Sequence, residues 1–392
     1  MSSYRTFVPI VSGCGVARQT GAEVKALGCK RVLLVHGQKL PVESINKIKD
    51  SLTDAGIDYI EFGNAQPDVP DYIVNEGVEF VNNNGPIDGI IGLGGGSTMD
   101  TAAAINVLLN NPPPIQQYFA INGGNASNPG YPLIQIPTTS GTGADQTRAC
   151  VILNTSEDVK RPLLSESCCL AKLCILDPEL TATMPPYLTA FTGYDAFSHA
   201  YEAYTGDDES SGPVSDVLAV WAMETVVKYL PLAVNDTGNM EYREKLAYAS
   251  TIAGMATANA RSHLGHCFGH AIGSRTHAPH GVSVACNYPF IVDFITDENY
   301  EKNSVVAKMF GIDVYDGMPA NELGAKLRTA LQQFEKTIGC PTLKDYNVTR
   351  EQVMSAYDLI IVDPLFQRGR KHMTTDEALA TLEKICDYYE LK

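Results

Sequence analysis

The chain has 392 residues, of which 44% are hydrophobic and 19% are charged, a composition typical of a folded globular protein rather than a disordered or fibrous one. This length exceeds what one compact core usually organises, so we expect two domains. The formal net charge of −16 repels phosphate backbones and anionic membrane surfaces. Nucleic acid and membrane are therefore not expected partners.

The cysteines and the first residues indicate a cytoplasmic protein. Ten cysteines are scattered along a chain that is too long to need disulfide cross-links, which predicts reduced thiols. The opening stretch MSSYRTFVPI lacks the charged and long apolar segments of a secretory signal. No later run approaches the eighteen or so consecutive apolar residues of a membrane span.

The first half of the chain alternates short apolar runs with segments of helical periodicity. The runs RVLLVHG (31–37), DYIEFG (58–63) and DGIIGLGGG (88–96) predict strands, and PLIQIP (132–137) and KLCILDPEL (172–180) predict two more. Strands that alternate with helices form parallel sheets. We therefore predict an α/β, Rossmann-like domain over residues 1–185.

Strand signals become sparse after Met184. Residues 214–234 and 241–260 carry apolar side chains at helical spacing. These segments predict a second, helical domain over residues 186–392.

The first strand-to-helix turn with chemical interest is GLGGGSTMD, residues 92–100. Its glycines allow close backbone approach while free N–H groups point outward, which is how a backbone binds an anion. An ordinary tight turn has the same composition, so this stretch alone leaves both interpretations open.

A second loop, PTTSGTG at residues 137–143, also follows a predicted strand and carries hydroxyl groups suited to phosphate or ribose. Two such loops at the strand ends of one sheet favour a nucleotide-binding crevice.

The histidines are concentrated: five of the eight lie between residues 261 and 281. Asp195 and His199 are four residues apart, which places carboxylate and imidazole on one helix face. His266 and His270 repeat this spacing, and His280 follows in a turn, APHG, that can return to the same point. Any one of these histidines could be an ordinary core or surface residue, but the set together predicts a divalent metal site.

Three other potentially reactive residues, Cys267, His36 and His372, are not assigned to a functional site. Cys267 adjoins His266, but neighbours on a helix point about 100° apart and cannot form a Cys-His pair, so Cys267 is assigned to packing. His36 and His372 stand outside the cluster and receive no metal role.

The motifs GGGSTMD, PTTSGTG, DPEL, GYDAFSHAYEAY and GHCFGHAIGSRTHAPHG, in this order, resemble the iron-dependent (group III) alcohol dehydrogenase family. The resemblance implies a Rossmann-like domain that binds NAD(P) and an all-α C-terminal metal domain, the dehydroquinate synthase-like superfold. Carried over by position, its metal ligands are Asp195, His199, His266 and His280.

The resemblance also assigns the cofactor site and the reaction. It implies a metal-dependent oxidoreductase that interconverts a small alcohol and its aldehyde or ketone by hydride transfer, with Fe²⁺ as the metal, Zn²⁺ as the alternative, and a homodimer or larger homo-oligomer. His270 is expected either to support a neighbouring ligand or to lie in the proton path rather than to bind the metal, while His263 and His277 are pocket or surface residues. Cofactor contacts carry over to Gly94, Gly95, Gly96, Ser97, Asp100, Thr138, Thr139, Ser140, Thr142 and Lys160.

The sequence departs from the family pattern at three places. The segments ADQTR (144–148) and QRGRKHMT (367–374) differ from the commoner residues and bear on substrate choice. Gly37 stands where many members carry Asp, whose carboxylate would bind the adenosine ribose and repel a 2′-phosphate. With Lys39 two residues on, we expect NADP(H) to be accepted and slightly favoured.

Other functions remain open on the sequence alone. A zinc-dependent glycerol dehydrogenase or a dehydroquinate synthase-like lyase shares the superfold. A metal-dependent hydrolase would leave the two nucleotide loops without a role, and a non-enzymatic metal or nucleotide sensor is the last alternative.

Overall fold

The computed structural model describes residues 4–5, 8–207 and 209–392, and the chain divides into two compact units. The first unit contains residues 8–184 and the segment Gly238–Gly254. The second contains residues 4–5, Pro185–Thr237 and Met255–Lys392. Gly238–Gly254, which the sequence analysis assigned to the C-terminal domain, is thus grouped with the first unit.

The described residues form eight strands and fifteen α-helices. The strands are β1 (Ile10–Ser12), β2 (Arg31–Gly37), β3 (Asp58–Ala65), β4 (Gly89–Gly94), β5 (Leu133–Pro137), β6 (Ala149–Asn154), β7 (Val159–Leu164) and β8 (Leu173–Leu176). The helices are α1 (Thr20–Ala26), α2 (Val42–Asp54), α3 (Asp71–Asn84), α4 (Gly96–Asn110), α5 (Pro186–Thr205), α6 (Pro213–Asn235), α7 (Met240–Ala260), α8 (Leu264–Thr276), α9 (His280–Ala285), α10 (Tyr288–Ile295), α11 (Tyr300–Met309), α12 (Ala320–Thr337), α13 (Arg350–Met354), α14 (Tyr357–Ile360) and α15 (Thr375–Tyr388).

The first unit is built on a parallel sheet in the order β1-β8-β5-β4-β2-β3. Successive side chains of a strand point to opposite faces, and both faces of β2 are buried. Leu33 and Val35 pack with α3 and α4, whereas Val32 and Leu34 pack with α1 and α2. Burial on both faces explains why these strands read as uninterrupted apolar runs.

The register of the sheet brings the predicted loops to one edge. Leu93 of β4 lies beside His36 of β2, and Gly94 lies beside Pro137 of β5. The carboxyl ends of three neighbouring parallel strands therefore meet, and this is the edge at which open α/β sheets bind ligands.

A separate antiparallel hairpin, β6 with β7, was not predicted from the sequence. Burial alternates along β6, as expected for a half-buried strand. Pro162 lies inside β7, and a proline normally argues against a sheet interior. A two-stranded ribbon tolerates this exposed proline because the second edge of each strand is paired only through an isolated bridge, at Leu153 of β6 and at Leu163 of β7.

The second unit is helical, and α5 is its central helix. Most of the α5 side chains are buried on all sides, including the polar residues Asp195, Ser198 and Glu202. Aromatic rings surround it, with Tyr194 and Tyr201 each packing edge-on against Tyr288. A buried carboxylate is costly unless it is paired, so α5 must have partners for its charges.

Helix α6 is, within the described part of the chain, long and apolar enough to cross a membrane by length and composition. However, 44% of its most apolar window is buried inside the protein, and a core helix meets the same criterion. It also carries Glu224 and Lys228 at exposed positions. Length and apolar content alone therefore do not assign this helix to a membrane.

Candidate active site

Asp195, His199 and Glu202 lie on one stripe of α5. Their spacing of four and then three residues places the side chains one above the other on a helix. The Nδ1 atom of His199 donates to the backbone carbonyl oxygen of Asp195 at 2.9 Å. This bond leaves the Nε2 atom of His199 without the ring proton and able to bind a cation.

Two further histidines reach the same carboxylate from α8 and α9. The Nε2 atom of His266 lies 3.6 Å from Asp195 Oδ1, and the Nε2 atom of His280, the first residue of α9, lies 3.5 Å from it. The His199 and His266 rings have centroids 4.1 Å apart. The structure thus brings together all four residues for which the sequence predicted metal binding.

The atoms at this point suit a metal ion. Asp195 Oδ1 and His266 Nε2 are both buried, and neither makes a hydrogen bond to any residue that the structure describes. Their separation of 3.6 Å is too long for a hydrogen bond, and unsatisfied buried polar atoms cost about 1–3 kcal/mol each. Potential ligand atoms of Asp195, His199 and His266 all lie within 4.8 Å of one another. Imidazole and carboxylate groups are the usual ligands of Fe²⁺ and Zn²⁺, so the donor set fits such an ion.

Glu202 forms an outer layer around His266. Its Oε2 atom accepts from His266 Nδ1 at 2.6 Å, and its Oε1 atom accepts from the His266 backbone N–H at 2.9 Å. The sequence analysis did not single out Glu202. The available signal was its position three residues after His199, on the stripe that already carries Asp195.

Charges and burial shift the pKa values of these groups strongly. Burial alone would raise the pKa of the Asp195 and Glu202 carboxyls, but the neighbouring histidines outweigh it and hold both below their usual range. Burial would likewise lower the pKa of His266, but the carboxylates of Glu202 and Asp195 raise it to about 10. Burial is the main cause that lowers the pKa of His199. The site therefore holds two ionised carboxylates within the helical unit.

The remaining histidines of the cluster lie around this point. The His270 ring is half-buried, with its centroid 5.4 Å from that of His280 and 5.9 Å from that of His266. His263 is buried, with Nε2 2.9 Å from Thr205 Oγ1, whereas His277 is exposed at the end of α8. Cys267 is buried, and burial raises the pKa of its thiol well above the usual value, which agrees with packing rather than with a nucleophile.

The glycines of the first unit's loops lie against threonines. A Cβ added at Gly95 would lie 3.2 Å from the side chain of Thr139, and one added at Gly96 would lie 2.7 Å from Thr142 Cγ2. The two predicted nucleotide loops are therefore in contact, and only residues without side chains fit between them. Gly96 is also the first residue of α4, whose free N–H groups and positive dipole end favour an anion.

Two other predicted cofactor residues, Lys160 and Asp100, are bonded to other parts of the protein. Lys160 is mostly buried and pairs with Asp68 at 2.6 Å, and the Asp68 backbone N–H donates to Ser97 Oγ. The Asp100 carboxylate accepts from the Val151 N–H at 2.9 Å, and burial raises its pKa to about 7. Asp100 thus bonds to the backbone of β6 in this structure, so its predicted contact with the nucleotide stays a prediction.

Asp68 is a second residue that the sequence analysis missed. Asp68 and Val69 both have positive φ angles, 64° and 55°, although neither is glycine. Such a conformation is an outlier for a β-branched residue and tends to occur at functional sites.

Gly37, which the sequence analysis linked to cofactor choice, is the last residue of β2. A Cβ added there would lie 3.4 Å from Ala65 O and 3.7 Å from Thr98 Oγ1, which are ordinary contact distances.

This combination of a parallel α/β unit with paired glycine loops and a helical unit with a three-histidine, one-carboxylate site defines a class of metal-dependent, nucleotide-dependent oxidoreductases. Residues 8–178 match the family described as iron-containing alcohol dehydrogenase, and residues 189–386 match its C-terminal domain. The chain belongs to the iron-containing alcohol dehydrogenase family. It is an enzyme that interconverts alcohols and carbonyl compounds with a nicotinamide cofactor.

Similar proteins span almost the whole chain. It is 33% identical to the NAD-dependent methanol dehydrogenase of Bacillus methanolicus, over 86% of this chain and 87% of that protein. It is 33% identical to the sulfoacetaldehyde reductase of Bilophila wadsworthia, over 96% and 97%. A solved structure of 1,3-propanediol oxidoreductase superposes with a TM-score of 0.91 at 29% identity, covering 98% of this chain and 100% of that chain. The predicted fold class is confirmed.

Proposed function

We propose that Asp195, His199, His266 and His280 hold one divalent metal ion in an alcohol or aldehyde oxidoreductase. The observation that carries this proposal is the convergence of three imidazoles on a buried carboxylate oxygen that has no hydrogen-bond donor among the described residues. One cation would satisfy these atoms together. Fe²⁺ is the ion that the family name implies, and Zn²⁺ is the alternative because the same ligand types accept both.

We further propose that the loops of the first unit bind NAD(P). Support comes from the glycines that let the two loops approach each other at the start of α4, where free N–H groups and the positive dipole end favour an anion, and from the similarity to an NAD-dependent methanol dehydrogenase. Because Gly37 has no carboxylate to repel a 2′-phosphate, both cofactors are accepted and NADP(H) is slightly favoured. The proposed contacts are Gly37, Gly94, Gly95, Gly96, Ser97, Asp100, Thr138, Thr139, Ser140, Thr142 and Lys160.

The chemistry divides between the bound groups and the chain. When bound, the metal ion polarises the substrate oxygen as a Lewis acid and the nicotinamide exchanges hydride with the substrate carbon. The chain's part is to hold these groups at fixed positions, to balance their charge and to move a proton. His270, half-buried beside His280, is our candidate for carrying that proton to and from solvent.

The substrate we propose is a short alcohol or aldehyde. The names of the similar proteins refer to methanol, sulfoacetaldehyde and 1,3-propanediol, all of which are small. We also propose that the protein works in the cytoplasm, where its ten free thiols stay reduced, and as a homodimer or larger homo-oligomer. Analytical ultracentrifugation of the purified protein tests the second point.

The deciding experiment combines metal analysis with an assay. The protein is loaded anaerobically with Fe²⁺ or Zn²⁺ and mixed with NADH or NADPH and a panel of short aldehydes, while the reduced-nicotinamide absorbance is followed. We expect His280→Ala to lose both bound metal and turnover and to retain nucleotide binding. His372→Ala, which changes an exposed histidine, is the matched control and should behave as wild type.

The outcomes separate the alternatives. A His280→Ala variant with full metal content would contradict the ligand assignment. No absorbance change with any aldehyde or alcohol would favour a hydrolase or a sensor, and turnover confined to glycerol with Zn²⁺ would favour a glycerol dehydrogenase-like enzyme.

A further inference from the structure

We propose that Glu202 is a positioning residue, which holds His266 in its Nδ1–H tautomer and supplies the second of two negative charges that balance a divalent cation. The inference rests on the proposed metal site. It concerns a residue outside the set of four ligands and assigns that residue a role in metal affinity.

The hydrogen bonds around Glu202 determine where the ring proton of His266 lies. An ionised carboxylate can only accept, so the 2.6 Å contact between Glu202 Oε2 and His266 Nδ1 requires a proton on Nδ1. In a neutral ring the lone pair is then on Nε2, the atom that faces Asp195. Metal-binding histidines are commonly oriented in this way by a carboxylate on the far ring nitrogen.

The position of His266 in α8 explains why a side chain, rather than a backbone carbonyl, accepts its Nδ1 proton. His199, inside α5, donates its Nδ1 proton to the backbone carbonyl four residues earlier. His266 is in the first turn of α8, which begins at Leu264, so no preceding turn offers it such a carbonyl. Its backbone N–H is one of the unpaired donors of that turn, and Glu202 Oε1 accepts from it at 2.9 Å. A single carboxylate therefore satisfies both the ring and the backbone of His266.

The surroundings are shaped to let Glu202 reach this position. The backbone N–H of His263 also donates to Glu202 Oε2, at 3.2 Å. Gly265 lies against the carboxylate: a Cβ there would be 2.7 Å from Glu202 Oε1 and 2.4 Å from the Tyr288 ring. Any larger residue at 265 would push the carboxylate away from the start of α8.

The charge of Glu202 is an independent reason to expect that this residue contributes to metal affinity. A divalent ion in a buried site needs compensating charge, since an unpaired buried charge costs several kcal/mol. A bound cation takes the place of the second ring proton of His266, so the ligand histidines are neutral in the loaded site. Asp195 then supplies one negative charge and fully buried Glu202 supplies the other. A Glu202→Gln side chain keeps the size and one acceptor oxygen and removes the charge.

The test measures metal binding directly. Dissociation constants for Zn²⁺ are determined by chelator competition on the full-length protein, for wild type, Glu202→Gln and Glu202→Asp. Glu335→Gln is the matched control because Glu335 is another buried glutamate of the same helical unit, bonded to Tyr389. We expect Glu202→Gln to bind Zn²⁺ about 10- to 100-fold more weakly, Glu202→Asp to recover part of that loss, and Glu335→Gln to match wild type.

A second measurement does not depend on any variant folding. In ¹⁵N-histidine-labelled, Zn²⁺-loaded wild type, NMR should show the His266 ring protonated at Nδ1. Protonation at Nε2, or wild-type affinity in Glu202→Gln, would overturn the inference while leaving the metal site intact. If wild type itself binds no metal, the proposed function fails instead, so the two failures are distinguishable.

Discussion

The proposed metal centre and the proposed nucleotide loops use opposite kinds of residue. At the metal centre, charged and aromatic side chains converge in a buried space, and each has a defined partner or an atom left for an ion. At the loops, glycines lie against threonines and no space remains for a side chain. One region depends on side chains that are present and the other on side chains that are absent. Removing atoms should therefore disable the first, and adding a single methyl should disable the second.

The largest effect is expected from Asp195→Asn, which removes the carboxylate charge at the point where the three imidazoles meet. Loss of the ion removes several kcal/mol of transition-state stabilisation, so turnover should fall by on the order of 10³-fold or more. Metal content should fall in parallel, and cofactor affinity, measured by NAD(P)H fluorescence, should stay at the wild-type value. Asp297→Asn, which changes an exposed aspartate of the same unit, serves as control. A weakened cofactor affinity in Asp195→Asn would break the comparison.

The converse change is Gly96→Ala. Its Cβ would lie 2.7 Å from Thr142 Cγ2 and 3.0 Å from Thr142 Oγ1, so either the loops move or the side chain shifts. Overpacking of this kind costs about 1–3 kcal/mol, and a cost of that size in the cofactor-binding conformation corresponds to a rise of about 5- to 160-fold in the cofactor dissociation constant. Adding Thr142→Ser removes the Cγ2 atom and should restore part of the affinity. Unchanged cofactor binding in Gly96→Ala would contradict the prediction that close packing of Gly96 against Thr142 shapes the cofactor site. Metal content should not change in either variant.

The difference between the two regions also explains what the sequence could predict. Strong periodicity predicted the elements well: RVLLVHG coincides with β2, and residues 241–260 lie within α7. The hairpin of β6 and β7 was missed: Pro162 argues against a strand in β7, whereas β6 has no proline and could have been predicted from its apolar residues. β1 was missed because it has only three residues.

For the site, residue type and spacing predicted a metal site, because histidine and aspartate at helical intervals place several metal-binding atoms on one face. The choice of four ligands, without His270, came from the resemblance to the family. Glu202 was not predicted, because its role depends on the packing of α5 against the first turn of α8, a long-range contact that no local pattern reveals. The Lys160–Asp68 pair was missed for the same reason.

A pH experiment sharpens the contrast between two buried carboxylates of the helical unit. Glu202 lies among imidazoles that lower its pKa, whereas burial raises the pKa of Glu335 to about 8 despite a hydrogen bond from Tyr389. At a pH between the pKa of Glu335 in the unfolded chain and about 8, the folded protein therefore keeps the Glu335 proton while the unfolded chain loses it. The contribution of this proton to stability is lost as the pH rises through that range. The loss approaches about 1.4 kcal/mol per pH unit.

Glu335→Gln should remove this dependence. Between pH 6 and pH 8, the unfolding midpoint of wild type should fall relative to that of the variant, as measured by thermal or urea unfolding. A constant difference across this interval would show that Glu335 does not titrate there.

The smallest effect is expected from a substitution at Gly37, the position in the nucleotide-binding region where many family members carry Asp. An added Cβ meets only ordinary contacts with Ala65 O and Thr98 Oγ1, so Gly37→Asp should fold normally. Its carboxylate would bind ribose hydroxyls and repel a 2′-phosphate, which should shift kcat/KM toward NADH by about tenfold, or 1.4 kcal/mol. Lys39→Ala tests whether the exposed lysine nearby contributes: if it does, this substitution by itself should lower the preference for NADPH.

A wild-type kcat/KM for NADPH at least about tenfold below that for NADH would overturn the proposed preference. A Gly37→Asp variant with an unchanged ratio would show that cofactor choice is made by other residues, because the carboxylate at this position would then meet neither the ribose nor the phosphate.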